Sequence, residues 1–184
     1  MANSQTFKFK IVVIGDGGVG KTSLIQKYTH GTFENDYLKT IGAQFTKLEK
    51  EINEDKISLI FWDIAGQGSF DFLNPLFYRE SKACIIVYSL EKNELGNESF
   101  KHIENWYDEM KMRCGNIHVV IFANKIDLIN EKDVDKSRIQ TIADKFDIKN
   151  YYITSAKTGQ GVNKAFNTII EKLYQKSKAL TSKI

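Results

Sequence analysis

The sequence predicts one α/β domain, built on a mainly parallel sheet with helices on both faces. Short apolar runs alternate with amphipathic segments along a chain of 184 residues, which is long enough for a single sizeable core. The runs are FKFKIVVI, KISLIFWD, ACIIVYSL, HVVIFAN and YYITS. They are almost continuously apolar, as strands covered on both faces are. Strands of this kind alternating with helices are typical of a parallel sheet with helical crossovers.

The segments between these runs carry apolar residues at helical spacing, and we predict that they form core stripes rather than a ligand site. The stripes are Phe100, Ile103, Trp106, Tyr107 and Met110; Ile139, Ile142, Ala143 and Phe146; and Val162, Ala165, Phe166, Ile169, Ile170 and Leu173. The polar ending QKSKALTSKI is expected to fray. We therefore expect an N-terminal segment 1–7, one domain over 8–174 and a tail over 175–184.

One stretch departs from the parallel pattern. AQFTKLEKEI alternates apolar and polar residues and leads through a turn at 53–56 into KISLIFWD. Alternation followed by a short polar turn predicts a β-hairpin. One edge strand of the sheet should therefore be antiparallel.

Composition excludes several classes of protein. The net charge of +3 is mild and forms no basic block, so we expect no nucleic-acid partner. Cys84 and Cys114 match no metal or redox spacing. No apolar run approaches the length of a membrane span. We expect a cytoplasmic monomer.

The first strand runs directly into GDGGVGKT, residues 15–22, called here the phosphate loop. In the pattern G-x-x-x-x-G-K-[ST], backbone N–H groups surround phosphate oxygens, the lysine reaches the β- and γ-phosphates, and the hydroxyl binds Mg²⁺. The alternative is a glycine-rich turn, but a strand before and a helical pattern after favour phosphate binding. The predicted contacts are Gly15, Asp16, Gly17, Gly18, Val19, Gly20, Lys21, Thr22 and Ser23.

The strand KISLIFW ends in Asp63-Ile64-Ala65-Gly66-Gln67. A carboxylate in this place can hold Mg²⁺, Gly66 offers an unobstructed N–H donor, and Gln67 can orient a water for attack on the γ-phosphate. As a bare pattern, a strand-end turn explains the stretch equally well. Its position one hairpin beyond the phosphate loop favours the catalytic interpretation.

Two further strands end in residues suited to a guanine base. HVVIFA is followed by Asn124-Lys125-Ile126-Asp127, and YYIT by Ser155-Ala156-Lys157. A carboxylate at Asp127 can accept from guanine N1–H and its exocyclic amine, a donor pair that adenine lacks, so a site built for it discriminates between the purines. The stem of Lys125 can lie over the base, and the N–H of Ala156 can meet guanine O6.

These four motifs, in this order and each after its own strand, closely resemble those of the Ras-like small GTPases. The resemblance covers nearly the whole chain, from Lys8 to Tyr174. It implies a P-loop NTPase (Ras-like G domain) with six strands, one of them an antiparallel edge, and five helices. It also implies that the protein binds GTP and GDP with Mg²⁺ and hydrolyses GTP.

The resemblance assigns further roles. Thr40 matches the threonine that binds Mg²⁺ and senses the γ-phosphate, Phe33 the aromatic that packs on guanine, and Tyr37 one that closes over the phosphates. Segments 31–42 and 64–78 then correspond to two switches. The implied catalytic residues are Gln67, Lys21 and Thr40, and the implied metal ligands are Thr22, Thr40 and Asp63.

Within the family, the Rab branch is the nearest likeness. Thr40-Ile41-Gly42, WDIAGQ, FYRES and SAKTGQGVNKAF resemble Rab segments. Rab proteins present three aromatic residues to effector proteins, and their counterparts here are Phe45, Trp62 and Phe77. A purely core role for these residues remains the alternative. The resemblance implies a switch in vesicle trafficking, working through effectors on the cytosolic face of an endomembrane.

The sequence departs from the Rab pattern in four ways. Ile64 replaces a threonine, Gly68 replaces a glutamate, the IGAQF and FYRES matches are partial, and no cysteine ends the chain. Membrane attachment is expected only if the native tail is lipidated. The departures leave open a nucleotide-binding but hydrolysis-deficient interaction module. An ATPase or nucleotide kinase would leave NKID and SAK without a role.

The arginines predict a partner. Arg79, Arg113 and Arg138 are the three in the chain, and none lies in 31–42. The first switch therefore offers no arginine to the transition state. We expect a GTPase-activating protein to supply this charge, and an exchange factor to release GDP.

Overall fold

The computed structural model describes residues 4–33, 40–65 and 74–181. Its sheet has six strands in the order β2-β3-β1-β4-β5-β6. Neighbouring strands are parallel except β2, which pairs antiparallel with β3 at one edge. This confirms the predicted sheet. The strands are β1 (Thr6–Ile14), β2 (Ala43–Ile52), β3 (Asp55–Ile64), β4 (Ala83–Ser89), β5 (His118–Asn124) and β6 (Tyr151–Ile153).

The predicted hairpin joins β2 to β3 through a shorter turn than the expected 53–56. Ile52 pairs with Asp55, so only Asn53 and Glu54 lie between the strands. Both have left-handed backbone angles, with φ of 50° and 68°. Two-residue turns with positive φ match the twist of the flanking strands.

Helices cover both faces of the sheet, as the sequence predicts. Leu24 and Phe166 bury α1 and α6 in the core on one face. Ile103 and Ile142 bury α4 and α5 in the core on the other. The helices are α1 (Lys21–His30), α2 (Asn74–Tyr78), α3 (Glu94–Lys101), α4 (Ile103–Cys114), α5 (Lys136–Lys145) and α6 (Val162–Thr181), with 3₁₀ turns at Ile126–Leu128 and Glu131–Asp133.

The described ranges contain six α-helices where the resemblance implies five, because one helical segment is divided at His102. Helical hydrogen bonds still cross the division. His102 N–H donates to the carbonyl of Glu98 at 2.9 Å, and Trp106 N–H donates to the carbonyl of His102 at 3.0 Å. The helices α3 and α4 therefore continue one another with a one-residue irregularity.

The core stripes are confirmed in α6, where all six predicted residues are buried. In α4 only Ile103 and Met110 of the stripe are buried. Phe100, Trp106 and Tyr107 are partly buried and pack against the core. The polar groups of two of these rings reach partners outside the core: the Trp106 indole N–H donates to Asp16, and the Tyr107 hydroxyl donates to the carbonyl of Phe146.

The expected fraying from residue 175 is wrong as far as Thr181, where α6 ends. Two side chains of this helix hold Asp55 at the start of β3: the Tyr174 hydroxyl at 2.8 Å and the Lys178 ammonium at 2.6 Å. Donation from Lys178, from the backbone N–H of Gln5 and from Tyr174 lowers the pKa of the Asp55 carboxyl to about 2. The end of α6 is thus tied to the β2–β3 hairpin.

Across the described helices, none combines the length and apolar character needed to cross a membrane.

Candidate nucleotide-binding site

The sheet brings all four motifs to one edge, because each follows or ends a strand and parallel strands have their carboxyl ends together. The phosphate loop follows the central strand β1, and β3, which carries Asp63, lies directly beside it. Asp63 is level with Val13, close to the end of β1. The strands β5 and β6, which precede the two base motifs, lie on the other side of β1. Strand order therefore puts the predicted metal ligand Asp63 and the two motifs predicted to contact the base on opposite sides of the loop.

Two glycines of the phosphate loop occupy positions that other residues cannot adopt without strain. Gly15 has φ +135°, and a Cβ built there would lie 2.1 Å from the carbonyl oxygen of Val87. Gly20 has φ +97°, and its Cβ would lie 2.5 Å from Asn124 Nδ2. The glycines of this pattern thus let the loop approach β4 and β5 closely.

Lys21 is the first residue of α1 and its side chain turns back into the phosphate loop. Its ammonium donates to the carbonyls of Gly15 at 2.7 Å and Asp16 at 2.8 Å. Burial lowers the pKa of Lys21 to about 8, although Asp63 and Asp16 oppose this by favouring the charged form. A phosphate group would offer Lys21 the negative charge that its carbonyl partners lack.

The three predicted metal ligands lie together. The Thr22 hydroxyl donates to Asp63 Oδ2, and its oxygen lies 2.9 Å from the Thr40 hydroxyl. Asp63 is buried, and its Oδ1 has no hydrogen-bond partner among the described residues. Burial raises the pKa of this carboxyl against the opposing hydrogen bond from Thr22 and the charge of Lys21. An unpaired buried carboxylate oxygen beside two hydroxyls is a set of hard ligands that fits Mg²⁺.

Asn124 joins the phosphate loop to the base motifs. Its Nδ2 donates to the carbonyl of Val19 at 2.9 Å. Its Oδ1 accepts from the Thr154 hydroxyl and from the backbone N–H of Ala156, both at 3.2 Å. The side chain is buried, with 1% of the residue exposed. One amide therefore fixes three loops relative to one another.

The residues predicted to recognise the base have partners that orient them. The buried Ser155 donates its hydroxyl to Asp127 Oδ1 at 2.6 Å, while Asp127 itself is exposed to solvent. Lys125, held in a left-handed conformation with φ +71°, pairs through its ammonium with Glu91 Oε2 at 2.5 Å. Burial alone would raise the pKa of Glu91, but the hydrogen bonds from Lys125 and Ser89 outweigh it, so this pKa lies below its ordinary value.

Other predicted contacts have mixed outcomes. The Ala156 N–H, expected at guanine O6, here donates to Asn124. Phe33, expected on the base, packs partly against the core. Lys157 is exposed. Tyr37, Gly66 and Gln67 lie outside the described residues, so their roles remain predictions.

Sequence reasoning missed three residues that contact the motifs. Glu91 follows β4, and none of the four motifs follows this strand. A parallel strand with no functional residue predicted at its carboxyl end was the available signal. His102 and Trp106 contact Asp16 of the phosphate loop. The predicted core stripe includes Trp106, and the indole N–H of this residue is the signal that it also needs a polar partner.

The three aromatic residues compared with the Rab triad form one cluster. The ring centroids of Phe45 and Trp62 are 5.8 Å apart, and those of Trp62 and Phe77 are 5.5 Å apart. Phe45 is 68% exposed, whereas the other two pack partly against the core. The cluster therefore has an exposed end and a core-anchored end.

Comparison with known proteins identifies the family. The family model described as the Ras family matches residues 10–175. The chain therefore belongs to the Ras family of small GTPases. It is 33% identical over 175 residues to Ras-related protein Rab-21 of Bos taurus, which covers 95% of this chain and 77% of that protein. These findings confirm both the predicted family and the enzymatic class.

Two further relatives are also Rab proteins. Ras-related protein Rab-7a of Dictyostelium discoideum is 34% identical over 174 residues, covering 92% of this chain and 84% of that protein. Ras-related protein Rab7 of Drosophila melanogaster is 35% identical over 174 residues, covering 92% and 82%. The chain is a small GTPase of the Rab type.

Proposed function

We propose that this chain binds GTP and GDP with Mg²⁺ at the site described, hydrolyses GTP slowly and works as a nucleotide-dependent switch. The observation that carries the proposal is the buried Asn124 amide, which bonds the phosphate loop to both base motifs. A bare phosphate loop has no need of that linkage. A site that holds base and phosphates of one molecule needs their spacing fixed.

Different residues of the chain have separate roles in binding and hydrolysis. Lys21 and the loop N–H groups stabilise charge that develops on the transferred phosphoryl group. Gln67 orients the attacking water. Asp127, oriented by Ser155, selects guanine. When bound, Mg²⁺ neutralises phosphate charge, and Thr22, Thr40 and Asp63 would hold it.

The switch is proposed to act through the loops that carry Thr40 and Gly66. With a γ-phosphate present both residues are drawn inward, and after hydrolysis they are released. In the sequence, Phe45 and Trp62 of the aromatic cluster lie between these loops and Phe77 follows the second, so the cluster offers an effector a surface whose shape depends on both loops. Regulation of vesicle trafficking from the cytosolic face of an endomembrane fits this proposal and the Rab relatives.

A GTPase-activating protein is part of the proposal. Arg138 stacks on Phe100, with its guanidinium carbon 3.8 Å from the ring centroid, and Arg79 lies beside Glu80 at the surface. Neither contacts the phosphate loop. An arginine from a partner would raise the hydrolysis rate by roughly 10³–10⁵.

Nucleotide selection tests the first half of the proposal. Fluorescent GDP and ADP analogues are titrated into the wild type, Asp127→Ala and the matched exposed control Asp133→Ala. We expect the wild type and the control to prefer GDP, and Asp127→Ala to lose that preference by about a hundredfold, because the paired guanine donors lose their acceptor. Equal binding of both nucleotides by the wild type would contradict the proposal.

Hydrolysis tests the second half. In single-turnover reactions with Mg²⁺, we expect slow GTP cleavage by the wild type and cleavage slowed by about tenfold or more in Gln67→Leu. A wild type that binds GTP but leaves it intact would support the hydrolysis-deficient module instead. Equal rates in the two proteins would remove Gln67 from the mechanism.

A further inference from the structure

The side chain of Asp16 points away from the phosphate loop and toward the junction of α3 and α4. Both of its carboxylate oxygens are engaged there. The indole N–H of Trp106 donates to Oδ1 at 2.8 Å, and Nδ1 of His102 lies 2.7 Å from Oδ2. Because a carboxylate only accepts, Nδ1 of His102 carries the proton in this contact. Two donors one helical turn apart therefore hold one acid of the loop.

The main chain of the same residue faces the nucleotide site. The carbonyl of Asp16 accepts from the Lys21 ammonium at 2.8 Å. Asp16 thus stands between the α3–α4 junction and the lysine predicted to bind phosphate. Its side chain is 18% exposed and that of His102 is 42% exposed, so the contact is partly shielded from water. Partial shielding makes a charge-assisted hydrogen bond stronger than a surface one.

The negative charge of Asp16 acts on Lys21 in the predicted phosphate site. Its field acts on Lys21 in the direction that raises the pKa of the ammonium. A carboxylate released from its two donors would be free to turn toward Lys21 and compete with an incoming phosphate. The same release would remove one attachment of the phosphate loop. A loop that must be ordered during binding costs affinity for the ligand, so this attachment favours nucleotide binding.

We propose that His102 and Trp106 are positioning residues for the phosphate loop: they hold the Asp16 carboxylate outward and so slow nucleotide release. This inference rests on the proposed function, since it assigns residues to that nucleotide site. It extends the site to a helix junction that none of the four motifs contains. It also gives the irregularity at His102 a role, because the imidazole is presented to the loop from that point.

The test is the release rate of a fluorescent GDP analogue from the full chain. Trp106→Phe removes the donor and keeps a ring, and His102→Gln replaces the imidazole by an amide. Each is expected to release GDP about three- to tenfold faster, the loss of one such hydrogen bond. The matched controls are the neighbours Tyr107→Phe and Lys101→Gln, which leave Asp16 untouched and are expected to match the wild type.

A second comparison separates positioning from packing. In an Asp16→Asn background, Trp106→Phe is expected to change the release rate less than it does in the wild type, because the charged acceptor is gone. An undiminished effect would mean that Trp106 acts by packing and would overturn the inference. So would release at the wild-type rate from both single variants. A wild type that takes up no GDP analogue would overturn the proposed function, and this inference with it.

Discussion

Removal of the Asn124 amide should loosen the whole site, and its cost can be worked from the structure. Asn124→Ala deletes three hydrogen bonds, at 2.9, 3.2 and 3.2 Å, to the Val19 carbonyl, the Thr154 hydroxyl and the Ala156 N–H. Each is worth about 1 kcal/mol net, and a partner stranded in the interior costs about 1–3 kcal/mol. The effects overlap, since all three groups are bonded to one side chain. We expect a loss of about 3 kcal/mol or more in the free energy of unfolding.

Urea unfolding of nucleotide-stripped protein, followed by circular dichroism, measures this loss without the contribution of a bound ligand. In a thermal scan the same loss lowers Tm by roughly 6–12 °C for a chain of this size. The exposed Asn116→Ala is the control and should stay within about 0.5 kcal/mol of the wild type. If Asn124→Ala were as stable as that control, Asn124 would not join the three loops in the way described.

Three other substitutions probe separate contacts of the structure. Gly15→Ala forces a methyl group into a carbonyl oxygen at positive φ, and we expect a loss of about 3 kcal/mol or more in urea unfolding; normal stability would refute the close approach. Glu91→Gln removes the charge that holds Lys125, the residue predicted to lie over the base. The rate of GDP release, measured by stopped flow, should therefore rise by about threefold. An unchanged rate would show that the pair does not position the lysine. The low pKa of Asp55 makes its carboxylate stabilising above pH 4, a contribution lost as pH falls through 4 toward 2. Asp55→Asn should therefore be less stable than the wild type at pH 6, with the gap closing below pH 4, whereas the exposed Glu51→Gln should not show this trend.

Much of the fold could be predicted because its signals are local. Nearly continuous apolar runs identify strands covered on both faces, and alternation in 43–52 identifies the half-exposed edge strand. The motifs follow from the same logic, since parallel strands bring their carboxyl ends together. Asp63, Thr22 and Asn124 could therefore be placed at one edge without knowledge of any contact.

What escaped prediction depends on pairs that are distant in sequence. Lys125 and Glu91 are 34 positions apart, and nothing in either segment marks the pairing. The polar ending of the chain predicts fraying, and this prediction underestimates the length of α6. Lys178 is polar, but it holds Asp55, 123 positions away. The apolar ring of Trp106 predicts a core position. The direction of its N–H depends on how α4 packs against the phosphate loop, which the sequence does not show.

The most direct test of the central claim is to identify the nucleotide that the protein carries. The chain is purified without added nucleotide and denatured, and the released small molecules are separated by chromatography. We expect a guanine nucleotide at about one per chain, mostly GDP, because Asp127 selects the base and hydrolysis leaves the diphosphate. Release of an adenine nucleotide instead would contradict the assignment of Asp127 and with it the proposed GTP-driven switch.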